Sequence, residues 1–481
     1  MTVERIGVVG AGTMGAGIAQ VSCLGGFETR LHDPIPEALE KGEKRLREAL
    51  DKGVERERWS RGDADRAAAS LRISDRVEDL AGCDLLIEAS PEDLALKREL
   101  FARLADACGP EAVLATNTSS LSVAAIAAGV SEPDRVVGMH FFNPPALMKL
   151  VEVVAGPESS ERALKIASEA GERMGRTAVR AADEIGFLAN RCARPFTLEA
   201  LRLLGERVAD AEAIDRICRI GGGFRMGPFE LMDLIGIDVN FEVAKSFWEQ
   251  SFGEPRWQPE PIQQQMVSAG RLGRKSGRGY YDYSREPYRP PDPEPSPGGE
   301  TAERLERLLE QSSDVPPLID LAGGSLAELD DTGSSVGFHV LGPLEETRLV
   351  ELTAGEFTAQ EVRDAAEEHF RSLGLHVEWV RDAPGLVLGR IVSQLVNEAA
   401  FALQRGVGSA EDIDTAVRLG WNFPHGALEW GDAIGLDRVI AVLDGLRDEL
   451  GEQRYRAAPL LRRMVAEGQL GRATGRGFFA Y

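Results

Sequence analysis

The sequence predicts an α/β domain built on a parallel sheet, then an all-helical domain, then a shortened second copy of the same pair. Three observations lead there. Short apolar runs alternate with helical stretches from residue 5 to residue 180, the pattern turns helical from Gly186 to Tyr283, and the segment beginning at Val137 returns at Val336. Alternation of strands with helices predicts a parallel sheet covered on both faces. The candidate strands are Arg5–Val9, Glu28–His32, Leu85–Ala89, Val113–Thr116, Val136–Phe141, Leu150–Val154 and Thr177–Arg180. Helices are expected around Met14–Leu24, Glu37–Lys52, Asp93–Ala107 and Glu161–Met174. Prolines and acidic residues crowd between Glu286 and Glu300, the composition of a linker. The expected division is therefore 1–185 for the α/β domain, 186–283 for the first helical domain and 284–312 for the linker. A truncated α/β remnant at 313–383 and a second helical domain at 384–481 complete it.

The internal repeat is the most informative feature. Val137-Gly-Met-His-Phe reappears as Val336-Gly-Phe-His-Val, 199 residues later. The same spacing joins Pro144 to Pro343, Glu152 to Glu351, Gly156 to Gly355, Gly186 to Gly385 and Glu199 to Glu398. It continues through Asp215 to Asp414, Gly227 to Gly426 and Gly236-Ile-Asp238 to Gly435-Leu-Asp437. Gly273–Gly279 returns as Gly471–Gly477. Register held over so many positions means duplication. The second copy is expected to lack the first four strands, so whatever those strands bind is bound once.

Composition narrows the function. With 481 residues and 43% hydrophobic content, the chain has room for several packed cores. A net charge of −23 excludes nucleic acid and an anionic membrane as main partners, since both would repel it. Five scattered cysteines (Cys23, Cys83, Cys108, Cys192, Cys218) form no C-x-x-C pair. They predict neither a disulfide framework nor a metal site, and a cytoplasmic location fits them. No signal peptide precedes the first strand, and no apolar run is long enough to span a bilayer.

Gly10-Ala-Gly12-Thr13-Met14-Gly15 directly follows a strand and opens a helix. Such a glycine motif alone is weak; in this context it marks a Rossmann-type dinucleotide site. Gly10 permits the turn, Gly12 lets a pyrophosphate approach the backbone, and Gly15 lets helix and strand pack closely. The helix N-terminus then faces the phosphates. The next strand ends at Asp33, whose carboxylate suits two ribose hydroxyls and would repel a 2′-phosphate, so NAD is expected rather than NADP.

His140 ends a strand, and Glu152 lies on the next one, the two placed symmetrically about Ala146 in a Pro-rich turn. A lone strand histidine is more often structural. If these strands pair antiparallel, however, the two side chains oppose each other across the ladder. A carboxylate on one ring nitrogen fixes the tautomer and leaves the other free to take a proton. Ser119, in Thr116-Asn-Thr-Ser119-Ser120, lies just past the preceding strand; Ser120 or Ser122 caps the following helix, leaving Ser119 for the cleft.

Together Gly10–Gly15, Asn117–Ser120, His140–Pro144, Met148–Glu152, Gly186–Arg191, Met226–Asp233 and Gly273–Tyr280 resemble the 3-hydroxyacyl-CoA dehydrogenase family over residues 1–283. The duplicated long form resembles the 3-hydroxyadipyl-CoA and 3-hydroxybutyryl-CoA dehydrogenases of phenylacetate catabolism. The resemblance implies NAD-dependent oxidation of an L-3-hydroxyacyl-CoA, with His140 as general base and Glu152 orienting it. It places Ser119 and Asn190 on the substrate 3-oxygen. Asp33 would hold the adenosine ribose, with Glu92, Lys97, Asn143 and Lys275 along the NAD. Lys52 and Arg56 are the nearest candidates for CoA contacts, although a solvated charged face explains them equally. Arg225, Arg191 and Arg194 are candidates for recognising a distal acyl carboxylate. In shorter relatives the helical domain dimerises, so a homodimer is one expectation and a second copy mimicking the dimer partner is the other.

The repeat keeps His339 and Glu351 but replaces Asn143 by Gly342, Asn190 by Gly389 and Lys275 by Ala473, and Ser119 aligns with Leu318. The second copy is therefore expected to be non-catalytic. Two rival functions are a crystallin-like protein that binds a dinucleotide without catalysis, and an NAD enzyme for small free hydroxy acids. The full set of Ser119, His140, Glu152 and Asn190 disfavours the first, and the Asn-Pro-Pro and Met-Gly-Pro motifs disfavour the second.

Overall fold

The computed structural model of the chain describes residues 3–293, 318–342 and 344–481. The linker positions 294–312, the first remnant positions 313–317 and the repeat residue Pro343 lie outside the described residues. Two compact units are present: Met1–Ala189 with Gly406–Gly420, and Asn190–Arg405 with Trp421–Tyr481.

The first unit is an eight-stranded sheet. Its strands are β1 (Arg5–Val9), β2 (Glu28–His32), β3 (Leu71–Ser74), β4 (Leu85–Glu88), β5 (Val113–Thr116), β6 (Val136–Phe141), β7 (Leu150–Ala155) and β8 (Thr177–Ala182). They lie in the order β3-β2-β1-β4-β5-β6-β7-β8. Every neighbouring pair is parallel except β6–β7. Most other successive strands are joined by helices, as parallel crossovers require, while the short Pro-rich turn after β6 permits only an antiparallel return. Strands β4, β5 and β6 are buried at every residue, as expected in a sheet covered on both faces. Because β1 lies between β2 and β4, the chain reverses direction across the sheet there, opening a crevice at the carboxyl ends of the strands.

Strand β3 and the helix Arg61–Ser70 were not expected from sequence. β3 is an edge strand of four residues with two of them exposed, too short and too polar to carry an alternating signal. Ser122 caps the helix Val123–Ala127, accepting from the Ala125 N–H, as one of the two readings of that serine run anticipated.

In the same unit the helix Ala410–Gly420, which comes from the second copy, packs on β7 and β8. The Ala182 N–H donates to the Val407 carbonyl at 2.7 Å. A Cβ at Gly420 would lie 3.0 Å from the Leu150 side chain, so this contact depends on the missing side chain.

The second unit holds a four-stranded sheet: β9 (Leu318–Asp320), β10 (Val336–His339), β11 (Leu349–Ala354) and β12 (His376–Trp379), ordered β12-β11-β10-β9. It repeats β5 to β8, including the antiparallel step. Two sequence expectations are corrected here. The remnant keeps a counterpart of Val113–Thr116, and Leu318 is not the partner of Ser119. Val336 pairs with Leu318 just as Val137 pairs with Ala115, so Leu318 replaces Ala115 and the Ser119 position falls on Ala322. From the start of the short helix to the aligned strand valine, Leu326 to Val336 is four residues shorter than Val123 to Val137, which displaced the alignment.

Apart from Gly406–Gly420 of the second, the helical copies belong to this unit from Asn190 onward, and they meet through mirrored ion pairs. Arg191 Nε donates to Glu398 at 2.9 Å, and its repeat equivalent Arg390 donates to Glu199 at 3.0 Å. All four side chains are buried. The Arg381 N–H reaches the Val208 carbonyl at 2.9 Å, the repeat equivalent of the Ala182–Val407 bond. The start of the Pro-rich segment is pinned to the first helical copy: Tyr288 donates to Glu230, and Arg219 pairs with Asp292 at 2.7 Å. No helix among the described residues is long and apolar enough to cross a membrane.

Candidate active site

The glycine turn sits where the sheet order reverses. Gly10 has φ +100°, and a Cβ there would lie 2.7 Å from the Ala89 carbonyl oxygen. A Cβ at Gly15 would lie 1.7 Å from the Gly10 carbonyl oxygen, so only glycine lets the helix start so close to the strand. Gly12 is different: nothing lies within 4 Å of where its Cβ would be. Its glycine is not required by packing, and the open side is what a pyrophosphate approaching the backbone needs. Gly12 is also the N-cap of Thr13–Leu24 and offers no side-chain cap to the first-turn N–H groups of Thr13, Met14 and Gly15. Asp33 follows β2 and clasps the turn: one oxygen accepts from the Ala11 N–H at 2.9 Å, the other from Ile35 at 3.0 Å. These residues fit NAD.

Beside the turn, Lys97 is 1% exposed. Its ammonium lies 2.6 Å from Glu88 and 3.3 Å from Glu92. Glu92 in turn gathers the loop after β5, accepting from the Thr118 hydroxyl and from the N–H groups of Ser119 and Ser120. Burial alone would raise the Glu92 carboxyl, but the Thr118 hydrogen bond and the Lys97 charge hold it below the ordinary value. Glu92 and Lys97 thus set the position of Ser119, which is exposed and whose backbone alone is tied down. Asn143 is exposed in the turn between β6 and β7. Lys52 and Arg56, at the end of the helix Pro36–Glu55, are both exposed.

His140 and Glu152 are direct partners in the β6–β7 ladder. The imidazole is 5% exposed, and its Nδ1 lies 2.6 Å from Glu152 Oε2. The other carboxylate oxygen accepts from the N–H groups of Leu188 and Ala189 at 3.0 and 2.8 Å. Both oxygens are thereby fixed, and the carboxylate has no reason to swing away from the ring. Phe142 and Phe187 wall the imidazole at centroid distances of 4.5 and 5.8 Å. With Nδ1 engaged, Nε2 is the nitrogen left to exchange a proton.

Asn190 and Lys275 belong to the second unit. Asn190 is half-buried and accepts from the indole N–H of Trp421 at 3.3 Å, an interaction that sequence reading missed because 231 residues separate the two. Lys275 is paired with Asp238 at 2.6 Å.

The repeated histidine sits in a closed setting. His339 and Glu351 oppose each other in the β10–β11 ladder, yet His339 Nδ1 faces Asp320 at 3.3 Å. Glu351 accepts from Val387 and Leu388, and burial pushes its carboxyl up to about 8. His339 Nε2 is buried without a partner. A Cβ on Gly389 would lie 2.4 Å from that nitrogen, so the His339 ring takes the space that a side chain at that position, such as the asparagine of the first copy, would need.

Known proteins resemble the chain over nearly its whole length. Residues 5–184 match the family described as 3-hydroxyacyl-CoA dehydrogenase, NAD binding domain. Residues 186–283 and 385–481 each match the 3-hydroxyacyl-CoA dehydrogenase C-terminal domain. The chain is 38% identical to the 3-hydroxyadipyl-CoA dehydrogenase of Escherichia coli K12, over 96% of this chain and 97% of that one. A 3-hydroxybutyryl-CoA dehydrogenase of Mycobacterium tuberculosis is 39% identical over 58% of this chain and 99% of its own length. The crystal structure of 3-hydroxybutyryl-CoA dehydrogenase from Escherichia coli K12 superposes with a TM-score of 0.88 at 36% identity, covering 97% of this chain and 99% of that one.

Proposed function

The chain belongs to the 3-hydroxyacyl-CoA dehydrogenase family and is an NAD-dependent oxidoreductase of 3-hydroxyacyl-CoA, and we propose that His140, oriented by Glu152, takes the proton of the substrate 3-hydroxyl. When bound, NAD supplies the acceptor for the hydride leaving C3. The remaining work falls to side chains. Glu152 holds Nδ1–H, so Nε2 presents its lone pair to the hydroxyl and carries the proton away as the carbonyl forms. Ser119 and Asn190 donate to the 3-oxygen and align it. The Trp421 bond to the Asn190 carbonyl oxygen leaves the amide nitrogen as the donor for that task.

For the cofactor we assign Gly10, Gly12, Thr13, Met14 and Gly15 to the pyrophosphate and Asp33 to the adenosine ribose. Glu92, Lys97, Asn143 and Lys275 are assigned along the rest of it, Glu92 and Lys97 acting through the loop they hold. Lys52 and Arg56 are assigned to CoA, supported by their exposure and positive charge. The second copy acts as a built-in dimer partner for the first helical domain, and the mirrored Arg191–Glu398 and Arg390–Glu199 pairs support that role. A reducing cytoplasm is the assigned compartment, supported by five buried cysteine thiols.

The observation that carries the mechanism is the 2.6 Å contact from His140 to a carboxylate whose second oxygen is also fixed. The test follows NADH absorbance with L-3-hydroxybutyryl-CoA, with acetoacetyl-CoA in reverse, and with free 3-hydroxybutyrate. Both thioesters should turn over and the free acid should not. Turnover of the free acid alone, or of none of them, overturns this reading.

A further inference from the structure

Arg194 is a charge without a counter-charge. It sits on the helix Ala189–Gly205, 2% exposed, and its Nε and Nη1 have no hydrogen-bond partner. The nearby carboxylates are already committed: Glu398 to Arg191 and Arg256, Glu199 to Arg202 and Arg390. Arg194 instead lies over two rings, Phe247 at 4.9 Å and Trp421 at 5.9 Å. Cation–π contacts of this kind offset only part of what stranding a buried charge costs. The strain shows in its burial, which pulls the guanidinium down to about 10.

What would satisfy it is a carboxylate, the planar anion that a guanidinium fork grips with two hydrogen bonds. Asn190 lies one turn earlier on the same helix face, about 6 Å along the axis. Trp421 ties the two together, donating to Asn190 and stacking under Arg194. Of the three arginines singled out in the sequence, Arg191 is neutralised by Glu398 and Arg225 is exposed, which leaves Arg194.

We propose that Arg194, Phe247 and Trp421 form a subsite for the terminal carboxylate of a dicarboxylic 3-hydroxyacyl thioester. This rests on the assignment of Asn190 to the substrate 3-oxygen. An acyl chain held there and running along the helix reaches Arg194 after about three carbon–carbon bonds, roughly 4 Å extended plus the carboxylate itself. The six-carbon dicarboxylic acyl group has that length. Trp421 is a positioning residue, and it comes from the second copy, where it replaces Gly222 of the first. The copy without chemistry of its own thus completes the substrate pocket of the other.

The test compares kcat/KM for L-3-hydroxyadipyl-CoA and L-3-hydroxyhexanoyl-CoA, equal in length and different only in the terminal group, using the full chain. A charge-assisted pair should give the wild type a preference of about 10–100-fold for the dicarboxylic substrate. Arg194→Met should erase that preference through KM, leave the hexanoyl substrate near its wild-type rate and keep or raise Tm. Arg194→Lys should retain part of it, and serves the same comparison if the Met variant does not fold. Trp421→Phe should weaken the preference and also lower kcat on both substrates, through Asn190. Equal wild-type activity on the two thioesters, or equal losses on both in Arg194→Met, overturns the subsite and leaves the dehydrogenase assignment standing. Absence of turnover on both overturns that assignment instead, and the subsite with it.

Discussion

Replacing Glu152 by glutamine tests the orienting role with almost no change in shape. The carboxylate uses one oxygen for the Leu188 and Ala189 N–H groups and the other for His140. A glutamine amide has one acceptor oxygen, and two backbone donors claim it. Its NH₂ must then face Nδ1 and donate to it, which moves the ring proton to Nε2. The imidazole is left in the tautomer that has no lone pair for the substrate hydroxyl. General-base assistance is worth about 10²–10⁴ in rate. At 1.36 kcal/mol per tenfold, that is about 3–5 kcal/mol of barrier. E152Q should therefore lower kcat for L-3-hydroxybutyryl-CoA oxidation by two to four orders of magnitude, while KM for NAD and Tm stay close to wild type. Stopped-flow or steady-state NADH absorbance measures the first and thermal unfolding the last. A kcat within threefold of wild type would refute the orienting role. A collapse in Tm of the same size as the rate loss would show that Glu152 matters to the fold rather than to the proton.

Three further outcomes follow from the same geometry. His140→Ala should nearly abolish turnover and His339→Ala leave it nearly unchanged; comparable losses would put chemistry in both copies. Gly12→Ala should fold normally, because its Cβ meets no protein atom, but raise KM for NAD, whereas Gly15→Ala, aimed at the Gly10 carbonyl, should lose stability; the reverse pattern in Tm and KM would remove the phosphate role from Gly12. The Glu351 carboxyl, raised by burial from 4.5 to about 8, holds a proton in the fold that it gives up on unfolding. Its contribution is fully present below about pH 4.5 and is lost as pH rises through about 8, so Tm should fall more between pH 6 and 9 in the wild type than in Glu351→Gln; parallel curves would contradict the shift.

Much of the site was legible because its parts are local. A glycine turn between a strand and a helix spans six residues, and the opposition of His140 and Glu152 needs only a hairpin of known symmetry. The repeat exposed the second copy, and Gly389 in place of Asn190 marked where the two copies diverge. What the sequence hid was either short or distant. Leu71–Ser74 lacks the alternation that marks longer strands, and a four-residue deletion slid Leu318 onto the wrong partner. In the sequence Arg194 is one of three arginine candidates for a distal carboxylate, and nothing separates it from Arg191 and Arg225 until their surroundings are known. Trp421 is invisible at Asn190 because nothing in local pattern links residues 231 apart. Glu92 and Lys97 were read as cofactor contacts; that they brace the Ser119 loop through Glu88 and Thr118 required the packed structure.

The mirrored Arg191–Glu398 and Arg390–Glu199 pairs resemble the contacts of a two-fold dimer, but both halves are encoded by one gene segment after another. In a true homodimer every mutation at such a contact occurs twice, and neither side can change alone. Here the sides are free to diverge. The tether also makes association independent of dilution, so the contact no longer has to be strong enough to find its partner in solution. Released from both demands, the two halves can take on different tasks, and substitutions such as Gly389 for Asn190 need not be matched on the other side.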